Sequence, residues 1–233
     1  MNKLKQINEE PENPFALSIG DLMAALLLIF VLLLASTLLK LQDEFETKSQ
    51  VAERYTAIKE DIYKELIIEF KDDLIRWNAT IDSSLTIRFQ EPDVLFETNK
   101  FILKNAFKLI LDDFFPRYIR VISKPEFKNS IEEIRIEGHT DNVGDYYHNM
   151  ELSQNRTRSV LIYVLEKTQI DNQTKEWVKN NLTANGLSFS KPVTDNLTEE
   201  GRYKNRRVEF RIRTNAEKQI DEILKFSSNE QNK

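Results

Sequence analysis

The sequence predicts an α+β protein with a single N-terminal transmembrane helix, a helical connector and a small sheet packed against helices. Three features predict this architecture. A long apolar segment lies near the N-terminus, a polar stretch with apolar residues at helical spacing follows, and short alternating segments separated by helical ones complete the chain. The predicted segments are a tail (1–16), a transmembrane helix (17–39), a connector (40–83), a folded domain (84–214) and a polar tail (215–233).

Composition narrows the classes of function. The formal net charge of the 233 residues is −5, which argues against a broad nucleic-acid-binding surface. The chain has no cysteine, so disulfides and cysteine-based zinc sites are excluded. We therefore expect no direct contact with nucleic acid.

The apolar segment from Leu17 to Leu39 has one ionisable side chain, Asp21. As a helix it would span about 35 Å at 1.5 Å per residue, which is enough to cross a hydrocarbon core of ~30 Å. A signal peptide would have a shorter apolar core and a basic head, whereas here Lys3 and Lys5 are outnumbered by glutamates. We predict an uncleaved anchor. Lysines flank the segment on both sides, so charge alone does not decide its orientation.

Asp21 has two interpretations, which the segment alone leaves open. It could be an interfacial carboxylate that reaches the headgroups, or an ion site that a partner helix shields from lipid. A carboxylate at a helix centre costs about 2.5–3.5 kcal/mol on insertion scales, and less towards an end. The same helical stripe contains small side chains beside the acid, which would let another helix approach. Members of this stripe are Ser18, Asp21, Ala25, Leu28 and Leu32.

The connector has apolar residues at steps of three and four from Leu41 to Trp77, and no glycine or proline interrupts it. This spacing predicts an amphipathic helix. The helix could pack on its own domain, or it could pair with the same helix of a second copy.

The folded domain shows alternating and helical segments in turn. Residues 78–84 are predicted to be a polar turn. The predicted strands are Ser84–Phe89, Ile131–Gly138 and Asn205–Thr214. The predicted helices are one that Asn99 caps and that ends at Phe115 before Pro116, one from Asn149 to Lys167, a short one from Lys175 to Asn181, and a polar helical tail.

One motif carries the functional information. The second strand ends in Gly138-His-Thr-Asp141, and an N-x-x-L-S-x-x-R pattern follows from Asn149 to Arg156. Together with an earlier "DVLF" and a closing "NRRVE", these segments resemble the OmpA-like peptidoglycan-binding family over residues 85–214. Thr157 stands where that family usually has alanine, which is a small-for-small change.

The resemblance implies binding of the peptide stem of the cell wall. Diaminopimelate in that stem presents an ammonium and a carboxylate at one end. Asp141 would pair with the ammonium, and the planar fork of Arg156 would hold the carboxylate. The alternative is a salt bridge between Asp141 and Arg156 that serves stability only. The other residues that the resemblance assigns to the peptidoglycan site are Asn149, Leu152, Asn205 and Arg206.

The chain has two histidines, His139 and His148. A zinc or hydrolase site needs more ligands than these, or a nucleophile beside a base. We therefore predict no metal site, no catalytic residue and no enzyme activity. His139 is expected to be structural at the strand end, and His148 to lie at the rim of the pocket.

The early aspartate, the connector and the OmpA-like domain together resemble the MotB-type stator subunits of ion-driven motors. In that family the aspartate binds and releases the coupling ion inside a ring of partner subunits, and the folded domain anchors the unit to the wall. The resemblance implies that Asp21 carries H⁺ or Na⁺ and that no further cofactor is needed. It also implies a bacterial inner-membrane protein with a cytoplasmic N-terminus and a periplasmic domain.

The short acidic tail and compact connector are most similar to the wall-anchored subunits of Zorya anti-phage systems. This similarity implies a homodimer of this chain inside five copies of a MotA-like membrane subunit, ZorA. Two other interpretations are a flagellar-type stator subunit and a passive peptidoglycan anchor. The passive anchor would need Asp141 and Arg156 but not Asp21. An enzyme acting on peptidoglycan would need a catalytic dyad, which we do not find.

Overall fold

The computed structural model describes residues 14–90, 95–97 and 100–215. They belong to two compact units, residues 1–51 and 52–233. The helices are α1 (Pro14–Phe70), α2 (Asn105–Ile122), α3 (Pro125–Lys128), α4 (Tyr146–Glu166), α5 (Asn172–Asn181) and α6 (Glu199–Asn205). The strands are β1 (Ala79–Asp82), β2 (Thr86–Phe89), β3 (Ile131–His139), β4 (Leu182–Gly186) and β5 (Arg207–Thr214). The predicted α+β class and the N-terminal helix are confirmed. The predicted helical tail lies outside the described residues.

The first unit contains the N-terminal part of α1. Ser18–Glu46 is long and apolar enough to cross a membrane, and its most apolar stretch is not buried within the chain. A helix satisfies its own backbone hydrogen bonds, so an exposed apolar helix of this length suits a lipid environment. Asp21 is exposed on this helix.

The second unit contains one five-stranded sheet in the order β1-β2-β5-β3-β4. Neighbouring strands are antiparallel, except that β3 and β4 are parallel. The expectation of a polar turn over residues 78–84 was wrong, because β1 occupies Ala79–Asp82. The turn is shorter. Asp82 accepts hydrogen bonds from the backbone and hydroxyl of Ser84, and Leu85 adopts a positive φ of 61°. Pairing with β2 therefore outweighs the turn propensity of these polar residues.

α2 corrects the prediction of a helix end before Pro116, because the helix continues through this proline to Ile122. A proline inside a helix removes one backbone hydrogen bond. Here the turns on either side bury Phe114, Phe115 and Tyr118 completely, and this packing offsets the loss. The predicted cap, Asn99, lies outside the described residues, and the helix begins at Asn105.

The core lies on one face of the sheet, under α2 and the C-terminal part of α1. Ile62, Leu66 and Phe70 of α1 are fully buried there. Arg117 of α2 adds polar contacts to this end of the connector: it donates to the Glu69 carboxylate at 2.7 Å and to Asp73 at 2.8 Å. These contacts confirm that this part of the connector packs on its own domain.

Phe114→Ala is expected to lower the free energy of unfolding by about 3–5 kcal/mol, because it removes a buried ring and leaves a cavity. Its ring lies 5.0 Å from Phe89 and 6.0 Å from Trp77, centroid to centroid. Denaturant unfolding followed by tryptophan fluorescence would measure the loss. Leu109→Ala is the matched control, since Leu109 lies on the same helix but is 71% exposed. Equal stability of the two variants would contradict the assignment of Phe114 to the core.

Candidate functional site

Gly138, near the end of β3, lets α4 pack against the strand. A Cβ at this position would lie 2.7 Å from Cγ2 of Thr157 and 2.9 Å from the carbonyl oxygen of Ser153. Side chains do not tolerate such short distances, so only glycine fits here. Thr157 is accommodated in place of alanine because its hydroxyl donates to the Ser153 carbonyl at 3.2 Å. This close packing brings the loop after β3 next to α4.

The loop from Asp141 to Asp145 is held by side chains at both ends. Asp145 caps α4 by accepting from the backbone N–H groups of Tyr147 and His148, so the helix begins three residues before the predicted Asn149. Asn149 is buried, and its amide donates to the Val143 carbonyl at 2.9 Å. The structure thus uses Asn149 to fix the loop, while His148 is exposed on the first turn of the helix.

Asp141 is 7% exposed, and both of its carboxylate oxygens accept hydrogen bonds. Oδ1 accepts from the backbone N–H of Val143 at 3.0 Å, and Oδ2 accepts from Nη1 of Arg206 at 2.6 Å. Arg206 also bonds Glu199 at 3.0 Å. Burial lowers the pKa of Arg206, but the bonds to these two carboxylates more than offset that effect and raise it. The direct ionic partner of Asp141 is therefore Arg206.

Arg156 is 8% exposed and lies on the buried face of α4. Its Nε donates to the Lys100 carbonyl at 3.0 Å, and its guanidinium carbon lies 4.9 Å from the centre of the Phe96 ring. Burial, together with the charge of Arg206, lowers the pKa of Arg156 to about 10, although Asp141 opposes this shift. Arg156 is therefore still charged at neutral pH. Among the residues that the structure describes, no carboxylate forms an ion pair with it.

A small pocket brings several of these groups together. Arg156, Arg206 and Phe96 line it. The contribution of Phe96 was missed from sequence, although the "LF" of "DVLF" was the signal that could have revealed it. Leu152 is half-buried one turn before Arg156. The remaining lining residues are Leu95, Gly138, His139, Arg207 and Val208.

Asn205 is fully buried and serves the loop that precedes α6. Its side-chain oxygen accepts from the backbone of Val193 at 2.8 Å and of Thr194 at 3.2 Å, and its amide donates to the Thr194 carbonyl. Helix α6 was not predicted from sequence. Asn205 thus supports the position of its neighbour Arg206 through this loop.

A second charged cluster lies on the sheet face opposite the core. Glu209 accepts from Nε of Arg207 at 2.6 Å and from Nε of Arg88 at 2.7 Å. His139 is buried, and its Nε2 lies 3.7 Å from Glu209, which is longer than a hydrogen bond. Burial lowers the pKa of His139, and the charge of Arg207 adds to this effect against the opposing influence of Glu209. His139 is therefore neutral at neutral pH.

Metal binding at this cluster can be assessed from its charges. One ligand atom each of Glu137, His139 and Glu209 lies within 4.8 Å of the others, a grouping that sequence spacing did not predict. However, Arg88 and Arg207 already neutralise Glu209, and these two guanidinium groups, of which that of Arg207 is buried, would repel a divalent cation. The donor set therefore does not favour a metal ion.

Glu209→Gln is expected to destabilise the domain at neutral pH by about 3–5 kcal/mol, because it leaves the buried guanidinium of Arg207 without its carboxylate partner, whereas Arg88 keeps its ion pair with Asp82. Burial alone would raise the pKa of Glu209, but the charge and the hydrogen bond of Arg207 hold it well below its usual range. The wild-type stabilisation is therefore complete above an unfolded pKa of about 4.3 and is lost as the pH falls towards the folded value.

Denaturant unfolding between about pH 2 and pH 5 would show a smaller pH dependence for Glu209→Gln than for the wild type, because the Glu209 stabilisation is lost only below the unfolded pKa. Glu200→Gln is the control, since the Glu200 side chain is 79% exposed in its pair with Lys204. Identical pH dependence of the wild type and Glu209→Gln would contradict this role.

The fold and the site define the class of protein: an OmpA-like domain that follows an N-terminal apolar helix, with residues 95–206 matching the OmpA family. The chain is 41% identical to the Zorya protein ZorB of Escherichia coli over 93% of its own length and 94% of that protein. It belongs to the ZorB family. A second ZorB, from Escherichia coli O139:H28, is 24% identical and aligns with 89% of the chain and 83% of that protein.

A solved structure of a MotB-like protein from Desulfovibrio vulgaris has a similar fold. The two chains are 25% identical with a TM-score of 0.50, and the match covers 69% of this chain and 94% of the other. The resemblances predicted from the sequence motifs are confirmed.

Proposed function

We propose that this chain is the wall-anchored, stator-like subunit of an ion-driven inner-membrane motor that acts in anti-phage defence. Membership of the ZorB family and the MotB-like fold support this assignment. The main support for the wall-binding part of the proposal is the state of Arg156. It is a buried cation that has no carboxylate partner among the described residues.

Binding of the wall peptide follows from the charges around the pocket. A buried cation without a counter-ion is costly, so a ligand carboxylate that reaches Arg156 gains an unusually favourable partner. Nε of Arg156 is occupied by Lys100, and no other hydrogen bond of this side chain occurs within the described part of the chain. The Asp141 carboxylate supplies the negative charge that pairs with the ligand ammonium. This carboxylate would then interact with both the ammonium and Arg206. Diaminopimelate, which carries both charges at one end, suits this arrangement.

Ion coupling is proposed for Asp21. This carboxylate lies exposed on a helix suited to lipid, so a partner helix would have to shield it. The proposed partner is the MotA-like ZorA subunit, and the ion is H⁺ or Na⁺. In this proposal the chain is an ion carrier and an anchor, and it has no catalytic role.

The function is tested by measuring ion flux through the complex reconstituted with its membrane partner, with proton and sodium gradients set separately. We expect flux down one of the two gradients. Absence of flux under either gradient, with wall binding retained, would favour the passive anchor instead.

The assembled unit is expected to contain two copies of this chain. Asp21 and the apolar residues Leu41 and Phe45, which are 62% and 73% exposed, would then be buried against the second copy or the partner subunits. Native mass spectrometry of the purified membrane complex would count the copies. A single copy per complex would contradict the proposed homodimer.

A further inference from the structure

An exposed aromatic patch lies at the start of α4. Tyr147 is 83% exposed, Tyr146 is 45% exposed, and their ring centroids are 5.8 Å apart in an edge-to-face arrangement. The ring of Phe189 lies 5.7 Å from Tyr146 on its other side. Val143, 64% exposed, precedes them in the loop after β3. Exposed aromatic groups that cluster in this way mark a surface with a binding role.

The position of Phe189 is fixed by its neighbour Ser188. Ser188 is fully buried and has a φ of +50°, a conformation that is costly for any residue with a side chain. Its N–H donates to the hydroxyl of Ser153, and its carbonyl accepts from the backbone N–H of Thr140, both at 3.0 Å. Its hydroxyl reaches the carbonyl of Tyr146 at 3.5 Å. These hydrogen bonds hold the strained backbone of Ser188 in place, between the aromatic patch and the motif that contains Asp141.

The patch is also connected to Asp141 through the loop. Asp141 accepts from the N–H of Val143, and the Val143 carbonyl accepts from Asn149 on the second turn of α4. Two hydrogen bonds therefore link the acid of the binding site to the helix that presents Tyr146 and Tyr147. The patch and Asp141 therefore belong to the same loop and helix start.

We propose that Val143, Tyr146, Tyr147 and Phe189 form a platform on which the glycan strand of peptidoglycan stacks; this rests on the proposed wall-binding function. A pyranose ring has an apolar C–H face that packs on an aromatic ring, while its hydroxyls remain in water. Diaminopimelate is the third residue of the stem, so the sugar that bears the stem lies about 10 Å away when the peptide is extended. A ligand held at Asp141 and Arg156 would therefore carry its glycan about 10 Å from the site, and Val143, the first member of the platform, is only two residues beyond Asp141 in the chain.

The test compares two soluble ligands that share the same tripeptide stem. One is the tripeptide ending in diaminopimelate, and the other is the disaccharide that carries this tripeptide. The full chain in detergent should bind the disaccharide form about 3- to 10-fold more tightly, the range expected for one aromatic contact. Tyr147→Ala should abolish this difference and leave the affinity for the tripeptide alone as in the wild type.

Tyr147→Phe is the matched variant, because it keeps the ring and removes the hydroxyl. It should retain the preference for the disaccharide form. Equal affinity of the wild type for both ligands, or equal losses for both ligands in Tyr147→Ala, would overturn the platform. If the wild type bound neither ligand, the proposed wall-binding function itself would be refuted, and the platform with it.

Discussion

Replacing Asp21 with asparagine is expected to abolish phage protection while leaving assembly and wall binding intact. Asparagine keeps the size and the hydrogen-bonding edge of the side chain, so packing against partner helices should survive. It cannot take up and release a proton, nor can it offer a full charge to a sodium ion. The ion gradient supplies about 2.3 kcal/mol per charge per 100 mV, and without a carrier this energy cannot be used.

The measurement is a phage-protection assay beside purification of the complex. Asp21→Glu should be partly or wholly defective, since one added methylene displaces the carboxylate within a fitted site. Asp43→Asn is the control, because it removes a carboxylate from the polar stretch that follows the apolar segment of the same helix. Full protection by Asp21→Asn with an intact complex would make Asp21 an interfacial bystander and would favour the passive anchor.

The second large effect is expected at the wall-binding site. Arg156→Ala and Asp141→Ala should each abolish binding to isolated peptidoglycan with the fold retained. Losing one partner of a buried charge pair commonly costs ~2–5 kcal/mol of binding free energy. Arg156→Lys should also bind weakly, since lysine keeps the charge but not the planar fork that holds a carboxylate with two bonds.

A pull-down with isolated peptidoglycan measures the effect, and circular dichroism checks the fold. Arg202→Ala is the matched control, because Arg202 bonds Glu199 from the helix that precedes Arg206 and has no contact with Asp141. Binding at the wild-type level by both Arg156→Ala and Asp141→Ala would refute the assignment of these residues.

The residues of the candidate site could be located in the sequence because they lie in contiguous motifs. Gly138, Asp141 and Arg156 follow one another at spacings that reflect a strand end, a loop and a helix. The alternative of a structural salt bridge between Asp141 and Arg156 was wrong, because Arg206 occupies the carboxylate instead. That contact joins residues 65 positions apart in the chain, and local patterns carry no information on such a distance.

Parts of the fold were missed for a similar reason. Pro116 is a sound stop signal for an isolated helix, but the buried rings on both sides of it hold α2 together. Strand β1 is short and polar, and it exists because it pairs with β2. The cluster around Glu209 depends on β2, β3 and β5 lying side by side, which only the sheet order reveals.

The junction between the connector and the domain has a mechanical consequence. The Arg117 guanidinium bonds Glu69 and Asp73 and lies 5.0 Å from the ring of Phe70, while Ile62 and Leu66 are buried alongside. These contacts bear load in parallel, so a tensile or twisting force on this end of the connector must break several of them at once. A force on this end of the connector would therefore reach the sheet as a whole, and the helix would not detach from the domain one turn at a time.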